Sequence, residues 1–275
     1  MSEIIDLVKI GDLNSSADHV LVYTGGMESS VVSESSVPSR RDRLRAGMVE
    51  EIKDSARRQL AEGGPGAISL RAIARELGTA SSALFRYYPS YNDLISALVV
   101  DSYNSVADAV ITARDACSPT DYAGRWLALC QAYRKWALDN PGEFALLHGT
   151  PVPGYEAPEE VTGPAASRSI EAALSLYVAA VQAKAADPSR SQIPADLEEG
   201  PLWRSLTADR TSGYEPPFAG IVLSAWVAVL GYLVVEIFGS MASLIEDTDR
   251  LYAAHVRNGM LAMGFERGPV EATSA

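Results

Sequence analysis

The chain has 275 residues, with 35 acidic side chains against 23 basic ones and a formal net charge of -12. At 47% hydrophobic and 21% charged residues it has the composition of a packed globular protein, which excludes a disordered or collagen-like chain. The whole-chain charge argues against nucleic acid as a partner, because phosphate neutralisation carries much of DNA affinity.

Cys117 and Cys130 have no metal-ligand spacing and cannot build a disulfide framework. Near the N-terminus Glu3 and Asp6 stand where a secretory leader is basic, so the expected setting is the reducing cytoplasm. Residues 1–39 hold one base and six acids. Two short apolar runs, Ile4 to Ile10 and Val20 to Tyr23, offer at most a marginal hairpin. The segment reads as a mobile N-terminal extension.

A basic cluster, Arg40, Arg41, Arg43 and Arg45, reads as an arm ahead of a first helix that starts at Leu44. Leu44, Met48, Ile52, Ala56 and Leu60 step by four along one face, and Gly63-Gly64-Pro65-Gly66 stops the helix. A second helix follows Ser69, with Leu70, Ile73, Ala74 and Leu77 on one face, and ends at Gly78. The third is short, Ser81 to Tyr87, broken by Pro89. Ser90 and Asp93 form a capping box that opens a fourth helix, Tyr91 to Arg114.

Ser118-Pro119-Thr120-Asp121 repeats a start signal, with Pro at the first helical position, for a helix lasting to Asn140-Pro141-Gly142. A loop is expected over Thr150 to Pro164, helix to about Ala186, and a linker from Asp187 to Gly200. The last two helices are expected at Phe218 to Ala242 and Asp247 to Met263. No strand pattern competes after residue 40, so the fold class is all-α. Pro216 to Val235 is twenty residues without a charge, close to the roughly 20 that span a bilayer. Its flanks are Glu215 and Glu236, with no Lys or Arg to orient a span, and the two prolines suit a helix start. A helix buried in a soluble fold or a subunit interface is the expected reading, with no membrane partner.

Charge is unevenly distributed. Residues 40–94 hold ten bases and seven acids, while residues 95–275 hold twelve bases and twenty-two acids. Within the basic block lie two helices joined by a tight Gly turn and followed by a break. That pattern fits a helix-turn-helix whose second helix enters the major groove, and it also fits an ordinary helical hairpin.

Residues 68–94, ISLRAIARELGTASSALFRYYPSYNDL, resemble the DNA-binding domain of the TetR family of transcriptional regulators. Arg125 to Tyr155 and Ala225 to Gly239 are similar to the WHG type of C-terminal domain in that family, with Trp226 and Gly231 at the motif's Trp and Gly and Leu230 where His is usual. The resemblance implies a three-helix helix-turn-helix DNA-binding domain over 40–94 and a helical ligand-binding and dimerisation domain over 95–275. It implies a homodimer on double-stranded operator DNA, a probable-repressor role in transcription, and release by a small-molecule effector not yet identified. Three departures bear on the operator: Thr79-Ala80 replaces the usual Val-Ser, Phe85 and Tyr87 replace Tyr and His, and Tyr91 replaces Lys.

The candidate DNA-binding residues follow from their chemistry. Thr79, Ser81 and Ser82 have short hydroxyls for base edges or phosphates, or in the case of Thr79 for a helix cap. Arg86 suits bidentate readout of guanine, or a phosphate contact. Phe85, Tyr87 and Tyr91 complete the surface, Arg41, Arg43 and Arg71 are phosphate candidates, and Leu84 and Tyr88 hold the third helix to the core. A pocket for the effector is expected from Trp126, Tyr133, Trp136, Phe144, His148 and Tyr177, which read equally as core aromatics. The resemblance places a dimer interface on Trp226, Leu230, Leu233 and Ile237.

Catalysis finds little support. His19, His148 and His255 lack metal-ligand spacing, and no phosphate loop or nucleophile elbow is present, so no catalytic residue, metal or cofactor is expected. The rival reading is a helical ligand-binding or membrane-associated protein without DNA function.

Overall fold

Helix α1 spans Arg40–Gly63 and turns Ile52, Ser55, Ala56 and Leu60 inward. The arginines expected to form an arm are therefore the first turns of this helix. Arg and Leu favour helix, and Asp42 in the first turn complements the positive end of the helix dipole. The computed structural model describes residues 39–149, 151–194, 197–198, 200–201, 203–204, 217–239 and 241–266. The extension expected over 1–39 lies, but for Ser39, outside the described residues.

Helix α2, Leu70–Glu76, is capped by the Ser69 hydroxyl, which accepts from the Ala72 amide. Helix α3 covers only Ser81–Leu84, shorter than the expected Ser81 to Tyr87. Residues 85–87 turn instead, with the Arg86 amide reaching back to Ala83 and those of Tyr87 and Tyr88 to Leu84. Pro89 is the cause, since the residue before a proline is pushed out of the helical region. Helix α4, Tyr91–Asp115, has the expected capping box between Ser90 and Asp93.

Helix α5, Tyr122–Asp139, starts later than its signal suggested. The cap is Asp121, whose carboxylate accepts from the Gly124 amide at 2.8 Å, while the Ser118 hydroxyl bonds to Thr120. Pro141 then opens a new helix, α6, Pro141–His148, where an end was expected. Helix α7 runs Glu159–Gln182 with Pro164 inside it, so the expected loop is shorter. Glu159 and Glu160 suit the helix start, and the bond lost at Pro164 falls close to that end. Beyond α7 a 3₁₀ turn, Pro188–Arg190, lies in the expected linker. Helix α8 is Pro217–Phe238, ending before the expected Ala242; a single turn α9, Met241–Leu244, and α10, Thr248–Ala262, complete the described chain. The one β-bridge among the described residues joins Ala186 to Phe265.

Two apolar cores share α4. Ile52, Ala56, Leu60, Ile73, Leu84, Leu94 and Leu98 belong to the first, built from α1 to α4. Val106 and Val110 begin the second, which α5, α7, α8 and α10 enclose. Leu147 of α6 packs against both. Helix α6 also meets α1 closely: a Cβ on Gly142 would sit 2.9 Å from the Leu60 carbonyl oxygen and 3.2 Å from Ala61 Cα. Backbone cannot yield as a side-chain tip can. Gly142→Ala should lower stability by about 1–3 kcal/mol, the range for overpacking, and an unchanged denaturant midpoint would refute this.

Both α4 and α8 are long and apolar enough to cross a membrane by length and composition alone. In α8 the residues Ile221, Val222, Trp226, Val229 and Leu233 face the second core, while Leu223, Val227, Val235 and Phe238 are exposed. The helix is thus half of a bundle packing with an apolar row left facing outward.

Candidate nucleic-acid interface

The first core fixes one side of α3 and leaves the other to solvent. Leu84 is 1% exposed and Tyr88 is 9% exposed, so these two anchor the helix as expected. The turn before α3 needs Gly78 at φ 63°, a left-handed conformation that side chains disfavour, and the Thr79 backbone N–H closes it by donating to the Ala74 carbonyl at 2.9 Å. Ser82, Phe85 and Arg86 are exposed, and Thr79, Ser81, Tyr87 and Tyr91 are half-buried around them. Ala80, not Thr79, occupies the N-cap of α3, and no side chain caps that end. The first amides of a helix are then open to an acceptor from outside, as is the Thr79 hydroxyl.

The basic start of α1 lies beside this surface. Arg45 donates through Nη2 to the Arg86 carbonyl at 3.2 Å, and its guanidinium sits 5.6 Å over the Tyr87 ring. Arg45 was not among the expected site residues; its spacing of four from Arg41 was the available signal. Arg41, Arg43 and Arg71 are exposed.

Other cations of α1 are taken up by carboxylates. Lys53 and Arg57 of α1 pair with Asp101 of α4 at 2.9 and 2.6 Å, and Arg58 pairs with Glu76. The Ser55 hydroxyl and then Arg58 hold the Glu76 carboxyl below its usual range. No ion pair among the described residues engages Arg41, Arg71 or Arg86, which leaves their charge available to an anion. The arrangement presents hydroxyls, ring edges and guanidinium groups over one convex face, the chemistry of phosphate and base-edge contact.

A match to "Bacterial regulatory proteins, tetR family" covers residues 52–98, and one to "Tetracyclin repressor-like, C-terminal domain" covers residues 126–258. HTH-type transcriptional regulator Mb1846 of Mycobacterium bovis is 33% identical over 225 residues, covering 80% of this chain and 94% of the relative. The chain belongs to the TetR family. HTH-type transcriptional regulator Rv1816 of Mycobacterium tuberculosis matches to the same extent. The crystal structure of the regulatory protein SCO4313 shares 32% identity and a TM-score of 0.62, over 81% of this chain and 99% of that one. The TetR-type regulator described here is accordingly a DNA-binding transcriptional regulator with an all-α fold.

In the C-terminal half of this TetR-family chain the six expected pocket residues separate into two groups. Tyr133, Trp136, Phe144 and His148 cluster: the Tyr133 hydroxyl and His148 Nε2 are 2.9 Å apart, and Phe144 lies 4.9 Å from the His148 ring. Burial pushes the His148 pKa down to about 4. Trp136 donates through Nε1 to the Ser105 hydroxyl at 3.0 Å. Trp126 and Tyr177 stand apart, both against Phe265, and the Tyr177 hydroxyl donates to the Met263 carbonyl at 2.8 Å. These two stand apart from the other four, packed against the C-terminal segment, and Trp126 also floors the groove between α8 and α10.

The expected dimer residues also divide by burial. Leu233 is 0% exposed and Trp226 is packed edge-on against Tyr133 at 5.3 Å, so both serve the chain's own core. Leu230 and Ile237 are half-buried. The outward row is instead Leu223, Val227, Val235 and Phe238, which helical phase places beside Leu230 and Val234. Next to that row a groove of about 250 Å³ between α8 and α10 is floored by Trp126 and Val229 and rimmed by Ala225, Ala228, Gly259 and Ala262.

Proposed function

We propose that this regulator is a repressor that binds a palindromic operator as a homodimer and leaves it when a small-molecule effector binds. Residues 40–94 serve as the DNA-binding domain, and residues 95–275 carry effector binding and dimerisation. The observation that supports the reading best is two solvent-facing surfaces on one chain, the hydroxyl and arginine face of α3 and the apolar row of α8. An apolar row of that extent marks a protein contact, and a second copy joined through it gives two α3 elements for successive major grooves, about 34–36 Å apart. Effector would favour a dimer of different α3 separation and so release DNA through its differential affinity, with α4 carrying the change. The cluster of Tyr133, Trp136, Phe144 and His148 is the effector site in this reading. The protein works in the cytoplasm, without cofactor or membrane.

Binding of the full chain to the duplex upstream of its own coding sequence, measured across salt concentrations, tests the reading. Steep salt dependence on a palindrome supports it; flat or absent binding returns the choice to a helical ligand-binding or membrane-associated protein without DNA function. A chain that sediments as a monomer without detergent removes the dimer.

Two variants separate the roles at the interface. Arg86→Ala should cost about 1–3 kcal/mol on the preferred site and relax sequence preference there; equal loss on random DNA defeats a readout role. Arg43→Ala should weaken every sequence and reduce the salt slope by about one, and an unchanged slope removes it from the phosphate contacts.

A further inference from the structure

Uncharged polar groups stand at intervals along α4 from the first core to the second, in two bonded pairs with Tyr103 between them. On α4, Ser96 is 5% exposed, and its hydroxyl lies 3.2 Å from that of Tyr155. Tyr155 comes from the segment after α6 and packs its ring on the first core beside Leu146 and Leu147. One residue before it, the Gly154 carbonyl accepts from Asn92 Nδ2 at 3.3 Å, so the same segment touches α4 twice in its first two turns. At the other end, His148 of α6 bonds to Tyr133 of α5 at 2.9 Å. Between the ends stands Tyr103 of α4, edge-on to the His148 ring with centroids 6.5 Å apart. Its phenol is raised by burial and by the neighbouring Tyr155, and the Tyr133 phenol is raised by burial and by Tyr103.

Such groups cost stability unless their bonds are satisfied, because a buried hydroxyl without a partner loses its hydration for nothing. The helices that carry them also differ in what they hold. The first turn of α4 follows the recognition turn after only Pro89 and Ser90, so a shift there displaces Arg86 and Tyr87 with it. Helix α6 is pinned on one side by the close approach of Gly142 to α1 and on the other by Phe144, which stacks 5.7 Å from Phe238 of α8.

We infer that Tyr155 is a positioning residue for DNA recognition: through its bond to Ser96 the C-terminal half sets the start of α4, and with it α3, according to the state of the Tyr133–His148 pair. The purpose of this device rests on the DNA-binding reading; its existence does not.

Hydrogen–deuterium exchange of the full chain, without DNA or effector, tests it directly. Tyr155→Phe and Tyr133→Phe each remove one hydroxyl and keep the ring. Both should speed exchange across residues 81–99 by about fivefold, the scale of one lost hydrogen bond. Tyr252→Phe is the comparison, since its hydroxyl donates to the Cys130 carbonyl at 2.7 Å, a bond more deeply buried and away from α4. It should speed exchange around itself and leave residues 81–99 at the wild-type rate. The inference is overturned if Tyr133→Phe acts only within residues 126–149, or if Tyr252→Phe disturbs residues 81–99 equally. On a duplex selected by the wild-type chain from random sequences, Tyr155→Phe should weaken binding about fivefold with an unchanged salt slope, because no phosphate contact is lost. A wild-type chain that selects no duplex defeats the DNA reading, while the exchange comparison still decides the inference.

Discussion

Arg134→Ala is expected to lower the unfolding free energy by about 3–5 kcal/mol, the cost of leaving a buried charge without its partner. Arg134 of α5 holds Glu236 of α8 by two bonds, from Nε at 2.9 Å and Nη2 at 2.6 Å. It reaches α10 through the same head group, donating from Nη1 to Asp249 at 2.7 Å and from Nη2 to the Thr248 hydroxyl at 3.3 Å. The guanidinium also lies 5.1 Å over the Tyr252 ring. The Glu236 side chain is 7% exposed and that of Arg134 13%, so their charges are largely out of water. Asp249 at 85% exposure contributes little, because water screens it. Glu236 bonding, ahead of the opposing burial, raises the Arg134 pKa above its usual value, so Arg134 stays charged throughout the working range. Urea unfolding of the variant measures the loss, and a change under 1 kcal/mol would contradict a buried pair. The double variant Arg134→Met with Glu236→Leu should recover most of it, since apolar replacements of similar volume remove both desolvation penalties. If two copies join through the outward row of α8, as proposed, the single variant should also dissociate more readily on dilution.

Most of this fold was legible because helices declare themselves by period. The stride of Ile52, Ala56 and Leu60, the Ser90–Asp93 box and the Gly78 turn depend on local chemistry, and the structure reproduces them. Errors fell where tertiary context or competing caps decide. Asp121 outcompetes Ser118 as a cap because a carboxylate accepts more strongly from an amide. Pro164 looks like a loop residue, yet within the first turns of α7 it forfeits only one bond. The ten candidate DNA-contact residues all reach solvent or its edge. Arg45 was missed because its contact with Arg86 spans 41 positions, which no local pattern reveals. Aromatic residues in the C-terminal half could not be sorted by period, since pocket and core share the same stripe. Their hydrogen-bond partners sort them, and Tyr177 on Met263 falls to the core. The charge of -12 is likewise a sum over a basic block, which carries α3, and two acidic ones.

Stability is expected to decline as pH falls from about 6.5 to about 4, by about 3 kcal/mol from His148 alone. The sign follows from burial. His148 binds its proton at about 4 in the folded chain, against 6.5 as the ordinary value for imidazole. Between those limits the unfolded chain holds more protons, so the contribution is complete above 6.5 and is lost on descending through the window. Desolvation is the sole cause of the shift, and the groups around the ring explain why. Tyr133 and Tyr103 are phenols raised above their ordinary 10 and silent in this window, and Phe144 is apolar. A proton on His148 would therefore meet no carboxylate, and with both ring nitrogens protonated Nε2 could no longer accept from the Tyr133 hydroxyl. Carboxylates titrate near the lower end of the same range, Glu76 and Asp115 among those held below their usual values, so the wild-type curve alone does not isolate the histidine. His148→Gln does, because its amide oxygen can accept from Tyr133 and carries no charge at any pH. Denaturant unfolding of both proteins at half-unit steps should show the wild type losing ground to the variant below pH 6.5. Parallel curves would mean that His148 takes up its proton in the folded chain as easily as in water. The same steps applied to DNA binding connect acid to regulation: if the Tyr133–His148 bond sets the start of α4 through Tyr155, wild-type affinity should fall faster than that of His148→Gln before either protein unfolds.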